Sequence, residues 1–348
     1  MNFHFSQPTI EIAFIIGWLA VFFSLFVLLS ILSLRLLRFS KDKDENFFLE
    51  KWRPLLFSPM EISSPLPPLR KKNRLAFFRL WNYYQESIKG EERLRLNHLA
   101  YQLNIDRIAL KWLHSFSTRK KLMAMLSLGY LHEKKAWDSL VKFLASKNNL
   151  ISLTAARALI HICADEAISL ILPLAIHRLD WPTLLSENLL REAGPKAVTE
   201  PLSAALLHTN APALVRVIDF LPFAYYEKCI LALRDIIKTS EDPEVLAAAM
   251  RFLKDPRDAA MARNLLTHPF WPLRLNAIKA IGRIGSTDDI QLLLQALSDS
   301  EWWVRYASAQ ALVHFPSLSQ QKLESFHQDL TPKAQEILSL VKMEEALL

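Results

Sequence analysis

The sequence predicts an all-α chain: one apolar helix long enough to cross a membrane, followed by an α-solenoid of about eight helix pairs. Three observations predict it. Residues 12–34 contain no charged side chain. From about residue 75 onward, amphipathic Ala-rich segments recur with a period near 31 residues. The 348 residues include only six Gly, and no stretch alternates apolar and polar residues as a half-buried strand would.

The apolar run comes first. At ~1.5 Å per residue it makes a helix of roughly 35 Å, against a hydrocarbon core of about 30 Å. Sixteen of its 23 residues are Leu, Ile, Phe or Val. At about −0.3 to −0.6 kcal/mol each near the bilayer centre, they favour insertion by roughly −5 to −9 kcal/mol. A cleaved leader would carry positive charge ahead of a shorter apolar region and a small-residue cleavage site. Residues 1–11 hold no Lys or Arg, and no such site follows. Positive charge falls after the run, at Arg35, Arg38, Lys41 and Lys43. Because such charges stay on the cytoplasmic side, the sequence predicts a single-pass inner-membrane protein with residues 1–11 outside and 35–348 inside. Ala13, Gly17, Ala20 and Ser24 share one stripe of this helix, where a second helix could approach closely.

Residues 35–74 read as a basic, Pro-containing juxtamembrane linker. Ten Lys or Arg face five Asp or Glu there, whereas the remaining 274 residues carry only +3 of the total +7. Basic residues beside a bilayer gain about 1 kcal/mol each from anionic headgroups, which marks Arg35, Arg38, Lys41 and Lys43 as headgroup contacts. Pro59, Pro65, Pro67 and Pro68 disfavour helix and suit a tether. Cys163 and Cys229 lie in apolar helical patterns. Two cysteines cannot complete a four-ligand zinc site by themselves, so both read as packing residues.

The repeats follow over 75–330. Leu128, Leu159, Leu190, Leu221, Leu253, Ile281 and Leu312 are spaced 31, 31, 31, 32, 28 and 31 apart, each late in an Ala-rich segment. Pro182, Pro212, Pro243 and Pro272 are spaced 30, 31 and 29, and Trp303 takes the next slot 31 later. Pro suits the first turn of a helix, where its missing N–H would be unpaired anyway. A pair of helices this short cannot bury its apolar face alone, so stacked pairs are required. Residues 331–348 read as a capping helix, opened by Thr331 and Pro332.

HPFWPLRLNAIKAIGRIGSTDDIQLLLQALSDSEWWVRYASAQALVHF, residues 268–315, resembles two consecutive HEAT-like repeats of the bacterial PBS-lyase type. Arg274 and Arg305, Ile284-Gly285 at the turn and Asp299 carry the resemblance; REAGPKAVTEPLSAALL at 191–207 matches a turn and second helix. The likeness covers about 75–330 and weakens toward 75–145. The usual Asp/Arg ladder is mostly missing: Lys121, Ser152, Thr183, Leu214 and Leu246 stand where Arg is usual.

No chemistry-bearing pattern stands out. A dimetal site on this architecture needs several His-Glu pairs, and the chain has one, His132-Glu133. A nucleic-acid groove needs a basic surface, which the near-neutral repeats do not supply. No phosphate loop, nucleophile elbow or spaced metal-ligand set is present. The expectation is therefore no metal, no cofactor, no small-molecule substrate, no nucleic acid and no catalysis. The partners expected are proteins, themselves membrane-associated, and the bilayer.

One edge stands out instead. Trp181, Trp271 and Trp302 fall in the same phase, just before helix starts, with Arg274 and Arg305 nearby. Trp and Arg are favoured anchors at interfaces, so these five residues are the candidate partner-binding set. The competing reading is a hydrophobic staple, in which each ring packs on its own helix. The function this implies is a membrane-anchored scaffold at the cytoplasmic face, an accessory subunit of a membrane glycosyltransferase or polysaccharide-export system. A lyase- or hydrolase-type enzyme using the solenoid groove, and a self-assembling membrane protein, are the alternatives.

Overall fold

The computed structural model describes residues 7–57, 66–316 and 318–347, with the side chains of 7–16, 34 and 36–46 outside the description. The described residues form helices and no strand. They divide into two compact units, 1–133 and 134–348.

The first unit holds α1 (Gln7–Phe57), α2 (Arg74–Ser87), α3 (Glu91–Gln102), α4 (Ile105–Leu113) and α5 (Thr118–Tyr130). Among the described residues, no helix is long and apolar enough to cross a membrane. The described uncharged stretch of α1 is Gly17–Ser33, about 25 Å at the helical rise and short of a ~30 Å core. The rest of the run predicted to span, residues 12–16 and Leu34, has side chains outside the description. Every described large apolar side chain from Trp18 to Leu32 is exposed, between 38% and 68%.

α1 does not stop at the basic segment. It continues to Phe57 with Pro54 inside its last turn, so the first half of the expected linker is helical. The reason is a stripe at i, i+4 and i+8: Phe48, Trp52 and Leu56 are all buried. The Phe48 and Trp52 rings lie 5.6 Å apart, and Trp52 meets Phe77 of α2 edge-on at 5.1 Å. Pro59 and Pro65 lie outside the described residues.

Where the repeats are expected to begin, near residue 75, the chain forms three helices, α2, α3 and α4, instead of a pair. Asn104 adopts a left-handed backbone, φ 54°, which ends α3 and starts α4; Asn tolerates that region better than most residues. A buried polar knot ties α2 to α5. Asn82 Nδ2 donates to the Met123 carbonyl at 3.2 Å, and Ser127 Oγ donates to Asn82 Oδ1 at 2.8 Å. Both ends of the buried amide are thus satisfied.

In the second unit α6 (Trp137–Leu144) precedes a run of helix pairs. They are α7 (Asn149–Ile162) with α8 (Ala164–His177), α9 (Thr183–Ala193) with α10 (Pro195–His208), and α11 (Ala213–Phe220) with α12 (Tyr226–Thr239). Then come α13 (Pro243–Phe252) with α14 (Ala259–Arg263), α15 (Trp271–Ile284) with α16 (Ile290–Ala296), and α17 (Trp302–Val313) with α18 (Gln320–His327), before α19 (Pro332–Ala346). First helices pack on first helices, α11 on α13, α13 on α15, α15 on α17, and α17 on α19; α8, α10 and α12 line up likewise. This is the nearest-neighbour stacking of a repeat fold.

The sequence markers explain the stack. All seven period-marking residues, from Leu128 to Leu312, are fully buried at 0% exposure. Pro243 and Pro272 sit in the first turn of α13 and α15, where their missing N–H costs nothing. Asn148 caps α7 by accepting from the backbone N–H of Leu150 and Ile151, and Asp242 caps α13 in the same way. Gly282 marks a close approach between helices: a Cβ there would stand 2.8 Å from Ala311 Cβ on the facing helix. Gly194, at φ 83°, makes the turn between α9 and α10.

Candidate interaction surface

The loops between successive pairs are held by arginines. Arg274, on α15, donates from Nε to Asp299 Oδ2 at 2.8 Å and from Nη2 to Asp299 Oδ1 at 2.7 Å. Its Nη1 also reaches the carbonyls of His268 and Pro269. Arg305, on α17, donates to the carbonyls of Asp299 and Ser300 at 2.8 and 2.9 Å. Both arginines are therefore engaged inside the repeat by these hydrogen bonds.

The ladder absent from the usual positions of the earlier repeats is built from other ones. Arg178, just after α8, donates to the carbonyls of Leu144 and Ser146 and to Ser152 Oγ, tying its own loop to the one before α7. Arg216, on α11, donates to the carbonyls of Arg178 and Trp181 at 3.2 and 2.7 Å. Burial lowers the Arg216 pKa. A second line runs along the turns inside the pairs, where Arg234 pairs with Asp255 and Asp258, and Arg263 with the buried Asp289. The hydrogen bond from Arg263 is the largest influence on Asp289 and holds its carboxyl below the usual range, against the upward pull of burial. At Asp299 burial pushes upward most, but the Arg274 bond and the Glu301 backbone N–H together bring the carboxyl below its ordinary value.

The aromatic edge divides. Trp181 is 1% exposed. Its loop folds back through the Trp181 N–H to the Arg178 carbonyl, and the Arg178 guanidinium lies 5.4 Å from the indole centroid. Trp181 is a packing residue, and its place in the exposed set is corrected. Trp271 is half-buried at the start of α15. Trp302 is different: it is 41% exposed, and its neighbour Trp303 is 55% exposed. Trp302 stacks on Tyr306 one turn later, centroids 5.0 Å apart and planes 14° from parallel, while Trp303 meets Trp302 edge-on at 4.7 Å. The three rings form an open aromatic platform on the first turns of α17.

Its surroundings are acidic. Tyr306 Oη donates to Glu344 on α19 at 2.6 Å, and His314 lies 3.1 Å from Glu345. The Glu344 hydrogen bond, burial and both carboxylates raise the Tyr306 pKa. Trp303 and Tyr306 are the functional candidates that the phase argument misses. The signal for Tyr306 is its i, i+4 relation to Trp302.

The remaining candidate positions are placed as follows. Gly17, Ala20 and Ser24 lie exposed on α1, and a Cβ added at Gly17 would meet nothing within 4 Å. Arg35 is exposed. The side chains of Ala13, Arg38, Lys41 and Lys43 lie outside the described residues. Cys229 is buried and Cys163 half-buried, both as free thiols, and burial raises the Cys229 pKa. Among the described residues no three His, Cys, Asp or Glu are grouped to hold a metal ion.

The family model for HEAT repeats matches residues 230–313 and 259–329. No curated protein matches the chain. Among solved structures, an engineered protein shares 17% identity over 80% of this chain and 85% of its own, with a TM-score of 0.34. Human deoxyhypusine hydroxylase in complex with glycerol shares 17% identity over 72% of this chain and 99% of its own, with a TM-score of 0.28. A second engineered protein shares 20% identity over 77% and 96%, with a TM-score of 0.23. Residues 230–329, then, match HEAT repeats, and the described residues form helices and no strand.

Proposed function

We propose that this chain is a scaffold, acting by binding a protein partner rather than by catalysis. The observation that carries the reading is the platform of Trp302, Trp303 and Tyr306 on the first turns of α17, with both indoles exposed. Large aromatic rings are the side chains that most often dominate interfaces. Glu344 and Glu345 beside the platform favour a partner that presents Arg or Lys, which would both stack on the rings and meet the carboxylates.

The reading extends to the bilayer. The exposed apolar sleeve of α1 supports membrane attachment, and the charge asymmetry around it supports residues 1–11 outside with the repeats on the cytoplasmic face. Gly17, Ala20 and Ser24 offer a stripe for a partner's membrane helix. The narrower form, an accessory subunit of a membrane glycosyltransferase or polysaccharide-export system, rests on this anchored-repeat plan alone.

The test compares the full-length chain with its W302A/W303A variant after extraction in mild non-ionic detergent, quantifying the proteins that co-purify. The variant should lose a discrete protein that the parent retains, with an unchanged melting temperature. An identical set of co-purifying proteins contradicts the reading.

A further inference from the structure

The net charge of +7 is not shared between the two units. Residues 1–133 hold 19 Lys or Arg against 11 Asp or Glu, whereas residues 134–348 hold 23 against 24. The whole excess lies in the first unit, with every carboxylate of that unit counted, Asp42, Asp44, Glu45 and Glu61 included. No Asp or Glu occurs in 66–85 or in 107–132, the stretches that supply Arg70, Lys71, Lys111, Arg119 and Lys120.

The fold gathers these cations at one end of the unit, because α1, α2 and α5 run parallel. Along α1, Phe47 and Lys51 line one hollow with Pro68 and Arg70, and Trp52 meets Phe77 one step on. A further step on, burial raises the Tyr84 pKa and the nearby charge of Arg53 opposes that rise. Along α5, Lys120 reaches α2 through Trp112, whose ring stacks on Phe78 at 4.5 Å and lies 5.7 Å from the ammonium. Asn82 then bonds Met123, and Tyr130 Oη donates to Glu86 at 3.2 Å. Both series advance in the same sense, so α2 and α5 begin at one end. That end looks back along α1 toward its exposed apolar sleeve, Trp18–Leu32.

Exposed rings stand among the cations there. Phe116, in the loop that opens α5, is fully exposed, and Phe47 is 70% exposed. Arg70, Lys71, Lys111 and Arg119 are exposed as well. Cations attract anionic headgroups, and an aromatic ring enters the interface beneath them; together these are the two components of binding to a membrane surface. A nucleic acid would also use cations and rings. The position of this end, on the side of the apolar sleeve, favours the bilayer.

We propose that this end of the first unit docks on a bilayer of anionic phospholipids, with Arg70, Lys71 and Arg119 on the headgroups and Phe116 as an interfacial wedge. The proposal deepens the membrane part of the function above and rests on it for the side from which the bilayer approaches. It adds a contact surface beyond the basic segment at 35–43, assembled from two helix starts that lie more than one repeat apart in sequence. Leu32 and Phe47 are fifteen residues apart on α1, about 22 Å of helix. Docking therefore requires α1 to lean away from the bilayer normal.

The test places the full-length chain in nanodiscs of phosphatidylcholine alone or of an equimolar mixture with phosphatidylglycerol, and reads amide hydrogen exchange over residues 114–118. Exchange there should slow at least about fivefold in the phosphatidylglycerol discs. The R70Q/K71Q/R119Q and F116S variants should each lose most of that protection while melting at the parent temperature, since all four side chains are exposed. An R70K/R119K variant, which keeps the charge, should retain it. Equal exchange in the two discs, or protection kept in R70Q/K71Q/R119Q or F116S, overturns the proposal. So does protection by a single-stranded oligonucleotide where phosphatidylglycerol gives none, which assigns the surface to nucleic acid. A chain that enters neither disc shows that α1 is no anchor, and it is then mixed with preformed phosphatidylglycerol vesicles. Slowing at 114–118 that both variants lose supports docking there, and unchanged exchange overturns it.

Discussion

Arg274 grips Asp299 through two parallel hydrogen bonds, Nε to Oδ2 at 2.8 Å and Nη2 to Oδ1 at 2.7 Å, and so joins the first helix of one repeat to the loop that opens the next. Both side chains are largely buried, at 12% and 13% exposure. The fork geometry lets one residue fix both the distance and the angle between neighbouring repeats. Removing one partner strands the other charge in a poorly hydrated place. Arg274→Ala should therefore destabilise the second unit by about 2–4 kcal/mol, read as a lower urea midpoint. Asp299→Asn, which keeps an acceptor, should cost less. Equal midpoints for Arg274→Ala and the parent would show that the repeats are held by apolar packing alone.

The same staples set an acid limit. The carboxyl pKa values of Asp289 and Asp299 are lowered in the folded chain, against about 3.9 for an unfolded Asp. A lowered value means that the folded form binds its proton less readily, so the stabilisation is complete above about pH 4 and is lost as pH falls through the depressed values. Urea midpoints measured from pH 7 down to pH 2.5 should fall in that lower window. In an R263A/R274A variant the fall should be shallower, because the shifts it depends on are gone. A parallel acid slope in the two proteins would contradict the assignment.

Trp181 and Trp302 occupy one phase of the repeat and have opposite consequences. Trp181→Ala opens a cavity and should cost about 3–5 kcal/mol, while Trp302→Ala, at an exposed position, should change stability by about 0.5 kcal/mol or less. Thermal unfolding of the two variants side by side checks this. Comparable losses would mean that the platform rings are packed like Trp181.

Membrane attachment through α1 has a direct readout. The full-length chain should stay in the pellet after alkaline carbonate extraction, and an L25R/L29R variant should be released in substantial part, since Arg at a bilayer centre costs about 2.5–3.5 kcal/mol per residue. Complete release of the parent chain would remove the membrane from the account.

Much of the repeat was legible because its physics is local. The period-marking leucines are buried without exception, since a stack of short pairs needs one apolar contact per layer. Helix starts were legible at Pro243 and Pro272, because a first turn suits proline best. The extra helix α4 was less legible, because it turns on one left-handed residue, Asn104. The helical continuation of α1 through a charged segment was not anticipated either. Its buried stripe of Phe48, Trp52 and Leu56 spans only two turns, and its partner Phe77 lies beyond the intervening prolines. Arg274 holds the usual ladder position and pairs with Asp299, so that rung is legible, whereas Arg234–Asp258 and Arg263–Asp289 join a second helix to the turn inside the next pair, at offsets of 24 and 26 residues that the first-helix position does not reveal. Burial of Trp181 depended on a loop conformation that no pattern of residue types specifies.

The claim that binding at α17 is what this chain does is tested most directly by site-specific photo-crosslinking in cells, with benzoylphenylalanine in place of Trp303 and, as the comparison, in place of the exposed Gln291 on α16. The account predicts a discrete protein adduct from position 303, weakened when Glu344 and Glu345 are changed to Gln, and none from position 291. No adduct at 303, or the same adducts from both positions, would contradict it.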